Sequence, residues 1–217
     1  MAASNYSILP VMEADLPFLA EFIHAAKLRL TINRLLFEDW PNDPVQTKMY
    51  TNAVRSGFKD PDTEGFKAVD KNSKEIVGYF VLARKRPSQK PPQYEIREIS
   101  SQGTPEGLNP LLFAEVMAAS AKIEKEVEGT DHFDLVYICV KPSLQGHGIG
   151  AKLVQIGFDK AKDDNIPFAL CAEAPAHDFY VKLGFKETKH TDIDLAKYAP
   201  ANSGFGVFRL TGMIWYP

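Results

Sequence analysis

Residues 145–151 read Gln145-Gly146-His147-Gly148-Ile149-Gly150-Ala151. A loop of this kind, set between an apolar strand and a helix start, makes an anion site. Its backbone N–H groups converge, the helix dipole favours negative charge, and glycines let a phosphate approach without a Cβ in the way. The same residues can also form a plain strand-to-helix turn. Gly146 to Ala151 satisfies the glycine fingerprint of dinucleotide-binding folds, and Glu173, ending the next expected strand, sits where a ribose-binding acid would. That points to an NAD(P)-dependent oxidoreductase. Two features oppose it. The fingerprint normally follows its strand almost directly, whereas Lys141 to Gln145 intervene here. It also normally opens a series of βαβ units, and here only the last third of the chain remains. No Walker-type loop ending in Gly-Lys-Ser/Thr is present.

The flanking elements follow from pattern. Phe133 to Val140 is an apolar run suited to a buried strand. Ile149, Leu153 and Ile156 share one face of a helix ending near Asp163 to Asn165. Pro167 to Ala172 reads as a strand, Ala174 to Leu183 as a short helix stopped by Gly184, and Phe185–Leu195 and Gly206–Trp215 as final strands. Gly157, inside the helix after the loop, suggests close packing against a sheet. Earlier, residues 5–12 read as a strand. A helix starts at Ala14-Asp15-Leu16-Pro17, with Leu19, Phe22, Ile23, Ala26 and Leu30 at helical spacing. A second helix runs from Asp43-Pro44 to Gly57, and Phe37 to Trp40 is loop. Phe66–Val69 and Ile76–Ala83 form a hairpin around Asp70-Lys71-Asn72-Ser73. Asn109-Pro110 opens a helix to about Glu128, with Leu112, Val116, Ala119, Ile123 and Val127 inward. Between these, 87–110 holds five of the fifteen prolines. It reads as an excursion carrying one edge strand, Tyr94–Ile99.

The whole is 217 residues, 45 % apolar and 24 % charged, with a net charge of −3. This is globular composition for one domain, 1–217, with 87–110 as an insertion. The charge disfavours nucleic acid, which needs a basic surplus. The first thirty residues mix Glu13, Asp15, Glu21 and Pro17 among apolar positions, so no membrane segment is expected there. Cys139 and Cys171 lie inside apolar runs and are expected as small buried hydrophobes in a reduced, cytoplasmic setting. The five histidines form no metal-ligand spacing. His132 and His177 are expected at the surface.

A second match covers more of the chain. An apolar strand leads to Gln145, two residues, Gly148, one residue and Gly150. Some thirty residues later comes Phe179-Tyr180-Val181-Lys182-Leu183-Gly184-Phe185, and Met12-Glu13-Ala14-Asp15-Leu16 forms an early strand-to-helix junction. This order resembles the GNAT superfamily of N-acetyltransferases, firmly over 133–187. The resemblance implies an α/β fold: a mixed, mostly antiparallel sheet with a central parallel splay, flanked by helices. It implies transfer of an acetyl group from acetyl-CoA to a primary amine by direct attack on the thioester, with no metal. The cofactor pyrophosphate would sit on Gln145, Gly146, His147, Gly148, Ile149, Gly150 and Ala151. The pantetheine arm would pair with Ile138, Cys139 and Val140. The N–H of Val140 would hold the oxyanion and Tyr180 would protonate the leaving thiolate. The base would be Asp134, Tyr137 or Glu173. A non-catalytic acyl-CoA-binding module is the remaining alternative. The acceptor is unnamed by the sequence; it would be bound by the 30–58, 87–110 and 188–206 regions. A homodimer is a candidate assembly.

Overall fold

The computed structural model describes residues 5–87 and 104–217. The expected strand Tyr94–Ile99 lies outside the described residues. Seven strands form one sheet: β1 (Tyr6–Pro10), β2 (Thr63–Asp70), β3 (Ile76–Lys85), β4 (His132–Val140), β5 (Phe168–Glu173), β6 (Lys186–Asp194) and β7 (Val207–Trp215). Their order is β1-β2-β3-β4-β5-β7-β6. Every neighbouring pair is antiparallel except β4 and β5. The sheet is therefore mixed, mostly antiparallel, with one central parallel pair.

Helices cover both faces. On one side lies α5 (Ile149–Asp164), with the short α6 (His177–Lys182) beside it. On the other lie α1 (Leu16–Lys27), the short α2 (Asn33–Leu36), α3 (Asp43–Lys59) and α4 (Pro110–Glu124). The α5 face is filled by Phe80, Leu82, Phe133, Leu135, Leu153, Phe158, Phe168 and Met213. Phe158 stacks between Phe168, Phe185 and Trp215, with centroids 5.7, 5.3 and 4.8 Å away. Gly157 allows this contact: a Cβ there would lie 2.3 Å from Phe168 Cε1. The opposite face holds two clusters. One joins α1 and α3 to Tyr79 and Val81, and the other joins α4 to Ile193, Leu195 and Leu210.

Several expectations shift. α3 runs past Gly57 to Lys59, because Gly57 keeps helical geometry and the chain turns only at Asp60. Phe37 is not plain loop; it bridges to Leu108 and is 2 % exposed. Asn109 caps α4, its side chain accepting from Leu111 and Leu112 N–H. His132 is buried rather than superficial, its Nδ1 2.7 Å from the Thr130 carbonyl. Cys171 is exposed, since among the described residues no helix covers its side of β5. The junction at Met12–Leu16 is fixed by Asp15, which accepts from Met12 N–H at 2.7 Å and pairs with Lys67 at 2.5 Å.

Candidate active site

The site begins with a defect in the sheet. In the β3–β4 ladder Val81 faces Tyr137 and Leu82 faces Leu135, so Val136 is an extra residue on β4. A bulge bends its strand and increases the local twist. The consequence appears on the other edge of β4. Only Phe133, Asp134 and Leu135 pair with β5, at Phe168, Ala169 and Leu170. Beyond Leu135 the two parallel strands separate, and β4 continues to Val140 with a free edge.

Lys141 N–H donates to the Val77 carbonyl at 2.9 Å. Backbone groups alternate along an antiparallel ladder, so the N–H groups of Ile138 and Val140 point away from β3, into the gap. The Val140 carbonyl there accepts from the Gln145 carboxamide at 3.2 Å. Cys139 alternates to the opposite orientation. It pairs with Tyr79, and its thiol packs beneath α1, where burial pushes it up to about 11.

The gap runs into the glycine loop. Pro142–Leu144 form one tight turn, then Gly146 and Gly148 both take φ of +79°, a region that favours glycine. Gly148 is the N-cap of α5, so the N–H groups of Ile149, Gly150 and Ala151 have no acceptor within the helix. Among the described residues, no backbone acceptor pairs with the N–H groups of Gly146, His147 and Gly148 either. A cavity of about 590 Å³ connects this loop to the gap. It is lined by Ile138, Val140, Gln145, Gly146, Gly148, Ile149, Gly150 and Ala151, closed opposite by Phe179, Tyr180 and Lys182. Nine of the expected residues thus meet around one cleft. His147 does not line it; the ring is exposed, with Nδ1 3.0 Å from the Gln145 carbonyl.

Tyr180 is 4 % exposed, with its ring against Phe179 and Phe185 at 5.1 and 5.8 Å. Desolvation drives its hydroxyl well above the usual phenol range, with Glu173 adding to the shift. The hydroxyl makes no hydrogen bond within the described residues. The phenol is thus protonated, unengaged and at the cleft.

The base candidates are separated by the structure. Glu173 ends β5 at the open end of the gap, its carboxylate 2.5 Å from Lys27 Nζ in the last turn of α1. Tyr137 lies beside this pair on the α1 face; burial raises its hydroxyl and Lys27 partly offsets this. Asp134 lies at the other end, where β4 and β5 are still paired. Lys27, 146 positions from Glu173, carries no local signal in the sequence, and neither do Tyr50 and Tyr79. Desolvation raises both phenols, and each senses Tyr137. Phe179 and Lys182 stand inside the segment that flags Tyr180, so attention to that segment could have found them. Among the described residues no group of His, Cys, Asp and Glu is arranged to hold a metal ion, and no helix is long and apolar enough to cross a membrane.

A mixed sheet opened by one bulge, with a glycine-rich helix N-terminus at the end of the opening, makes a GNAT-like α/β fold. Residues 112–187 match the family model described as acetyltransferase (GNAT) domain. A stretch of 50 residues is 40 % identical to an uncharacterized N-acetyltransferase of Schizosaccharomyces pombe, spanning 23 % of this chain and 21 % of that relative's length. The structure is similar to a putative arylalkylamine N-acetyltransferase of the yellow fever mosquito, with a TM-score of 0.68 and 15 % identity, covering 97 % of this chain and 87 % of that one. It is also similar to a histone acetyltransferase HPA2 and related acetyltransferase from Corynebacterium glutamicum, with a TM-score of 0.61 and 17 % identity over 99 % and 97 % of the two chains. The fold is GNAT-like, and the segment 112–187 carries the match to the GNAT acetyltransferase domain. Nothing in these comparisons supports the dinucleotide reading of the glycine loop.

Proposed function

We propose that the protein moves an acetyl group from acetyl-CoA to a primary amine by direct attack on the thioester. The observation that carries this reading is the free edge of β4 from Ile138 to Val140, which opens onto the unpaired N–H groups of residues 146–151.

The loop N–H groups and the N-terminus of α5 bind the pyrophosphate. The Ile138 and Val140 edge receives the pantetheine arm as an added strand, once Gln145 releases the Val140 carbonyl. The Val140 N–H then faces the thioester oxygen and stabilises the oxyanion formed by amine attack. Glu173, held by Lys27, takes the proton the amine loses. Tyr180, kept neutral by burial, gives its proton to the departing sulfur. One domain, 1–217, carries all these parts.

A coupled assay for free thiol tests this. Acetyl-CoA with a panel of primary amines is expected to release CoA in an amine-dependent way, with none from tertiary amines. Tight acetyl-CoA binding with no release for any amine would leave only a binding module. Thermal stabilisation by NAD(P)H alone would overturn the reading altogether.

A further inference from the structure

On the sheet face opposite α5, the helices of the described residues leave a strip of β5 uncovered. α1 and α3 cover β1 to β4, and α4 covers β6 and β7. Between them Cys171 is exposed and Val136 is 41 % exposed. Ala169, Cys171 and Glu173 share this face by the two-residue period of a strand. Glu173 stands at the open end of the gap. Asp134, paired beside Ala169, stands at the other, four residues away or about 13 Å. Cys171 lies between and senses both carboxylates, as well as Glu124 of α4. The two carboxylates therefore lie along one face of β5, with the exposed Cys171 between them.

The ends differ in one respect. Glu173 has Lys27. Asp134 makes no hydrogen bond or ion pair within the described residues. It lines a cavity of about 190 Å³ with Val136, Cys171, Thr188 and Glu124. Its carboxylate is deeply desolvated, although the residue keeps some solvent contact through that cavity. His132 and Lys85 favour its charged form; Glu124 and desolvation oppose it, and desolvation dominates, pushing the carboxyl up to about 6. An unpaired, desolvated carboxyl costs free energy in the empty protein, and a cation entering the cavity offsets that cost.

We propose that this strip of β5, from the Asp134 cavity to Glu173, is a trench that serves as the acceptor channel, and that Asp134, with Glu124, holds the distal ammonium of an extended di- or polyamine whose other amine is acetylated at the Val140 end. This deepens the acetyltransferase reading and rests on it. The strand rise from Ala169 to Glu173 is long enough to separate the two amines, and Val136, Ala169 and Cys171, which line the Asp134 cavity, suit the methylenes between them.

The test compares diaminooctane with octylamine, which match in length and differ in the distal charge. Calorimetric titration is run with CoA present and with CoA absent. The diamine should bind about tenfold more tightly, the worth of roughly one charge-assisted contact. Diaminobutane, too short to span the trench, should behave as a monoamine. The diamine-to-monoamine ratio should fall to about one in Asp134→Asn. In Glu124→Gln, an exposed change at the last residue of α4, it should fall part of the way. Equal wild-type affinities, absence of binding by both amines, or a ratio unchanged in Asp134→Asn would overturn the proposal. A diamine preference without CoA release would keep the trench and reject the transfer reaction. Amine-dependent release without a diamine preference would do the reverse.

Discussion

Two side chains carry charge states that follow from where they sit. Tyr180 is neutral because burial makes its phenolate costly, which suits a proton donor and no base. Tyr180→Phe keeps the ring against Phe179 and Phe185 and removes the only donor. Acetyl-CoA affinity should hold, since the contacts proposed for it are to backbone groups, and kcat should fall by roughly 10²-fold. A purely packing role would leave kcat at the wild-type value, as measured per folded molecule. Asp134 makes the opposite kind of prediction. Its carboxyl lies near 6 in the folded chain and at about 3.9 when unfolded. Between those values the folded state holds the proton more tightly, so stability falls as pH rises through about 4 to 6 and stays lowered above. Asp134→Asn should therefore stabilise the free protein by up to about 3 kcal/mol above about pH 7, with the gain vanishing below about pH 4. Urea unfolding at both pH values checks this; a gain independent of pH would refute the assignment.

At the scale of elements, the glycines of the loop and of α5 have separate tasks. Gly148 sits at a φ of +79° with open space around its Cβ direction, so alanine there meets strain and no clash. Gly148→Ala should cost about 1–2 kcal/mol locally and shift the N–H groups of the loop, weakening acetyl-CoA binding. Gly157→Ala should instead destabilise the whole fold by about 1–3 kcal/mol, through overpacking against Phe168. Its affinity per folded molecule should be unchanged. Calorimetry and thermal unfolding on the two variants separate these effects; an equal loss of affinity in both would contradict the division. These elements were also the legible part of the sequence. Loop, α5 and the Tyr180 segment are adjacent in the chain, and each is marked by glycine or by apolar period. The bulge at Val136 leaves no such mark, because an extra strand residue looks like any other in an apolar run. Cys171 read as buried for the same reason: its neighbours are apolar, and only the spacing of α1, α3 and α4 exposes it.

For the molecule as a whole, the sheet order sets what meets what. Among the described strands β5 enters parallel beside β4 while every other pair is antiparallel, and it is at this junction that neighbouring strands part and leave an edge inside the sheet. Nonlocal contacts then finish the site. Lys27 reaches Glu173 from the first helix, and His177 ties α6 to β6 by its bond to Glu187 at 2.7 Å, which with Asp178 raises its imidazole. Such pairings join distant positions, and no local pattern announces them. The central claim is that the free β4 edge and the loop after it form one platform for acetyl-CoA. Residue-resolved amide hydrogen exchange, with and without acetyl-CoA, tests it most directly. Protection should appear at Ile138, Val140 and residues 146–151, and the Cys139 amide, already bonded to β3, should change little. Protection absent from these amides while acetyl-CoA is bound, or confined to another edge of the sheet, would contradict the account.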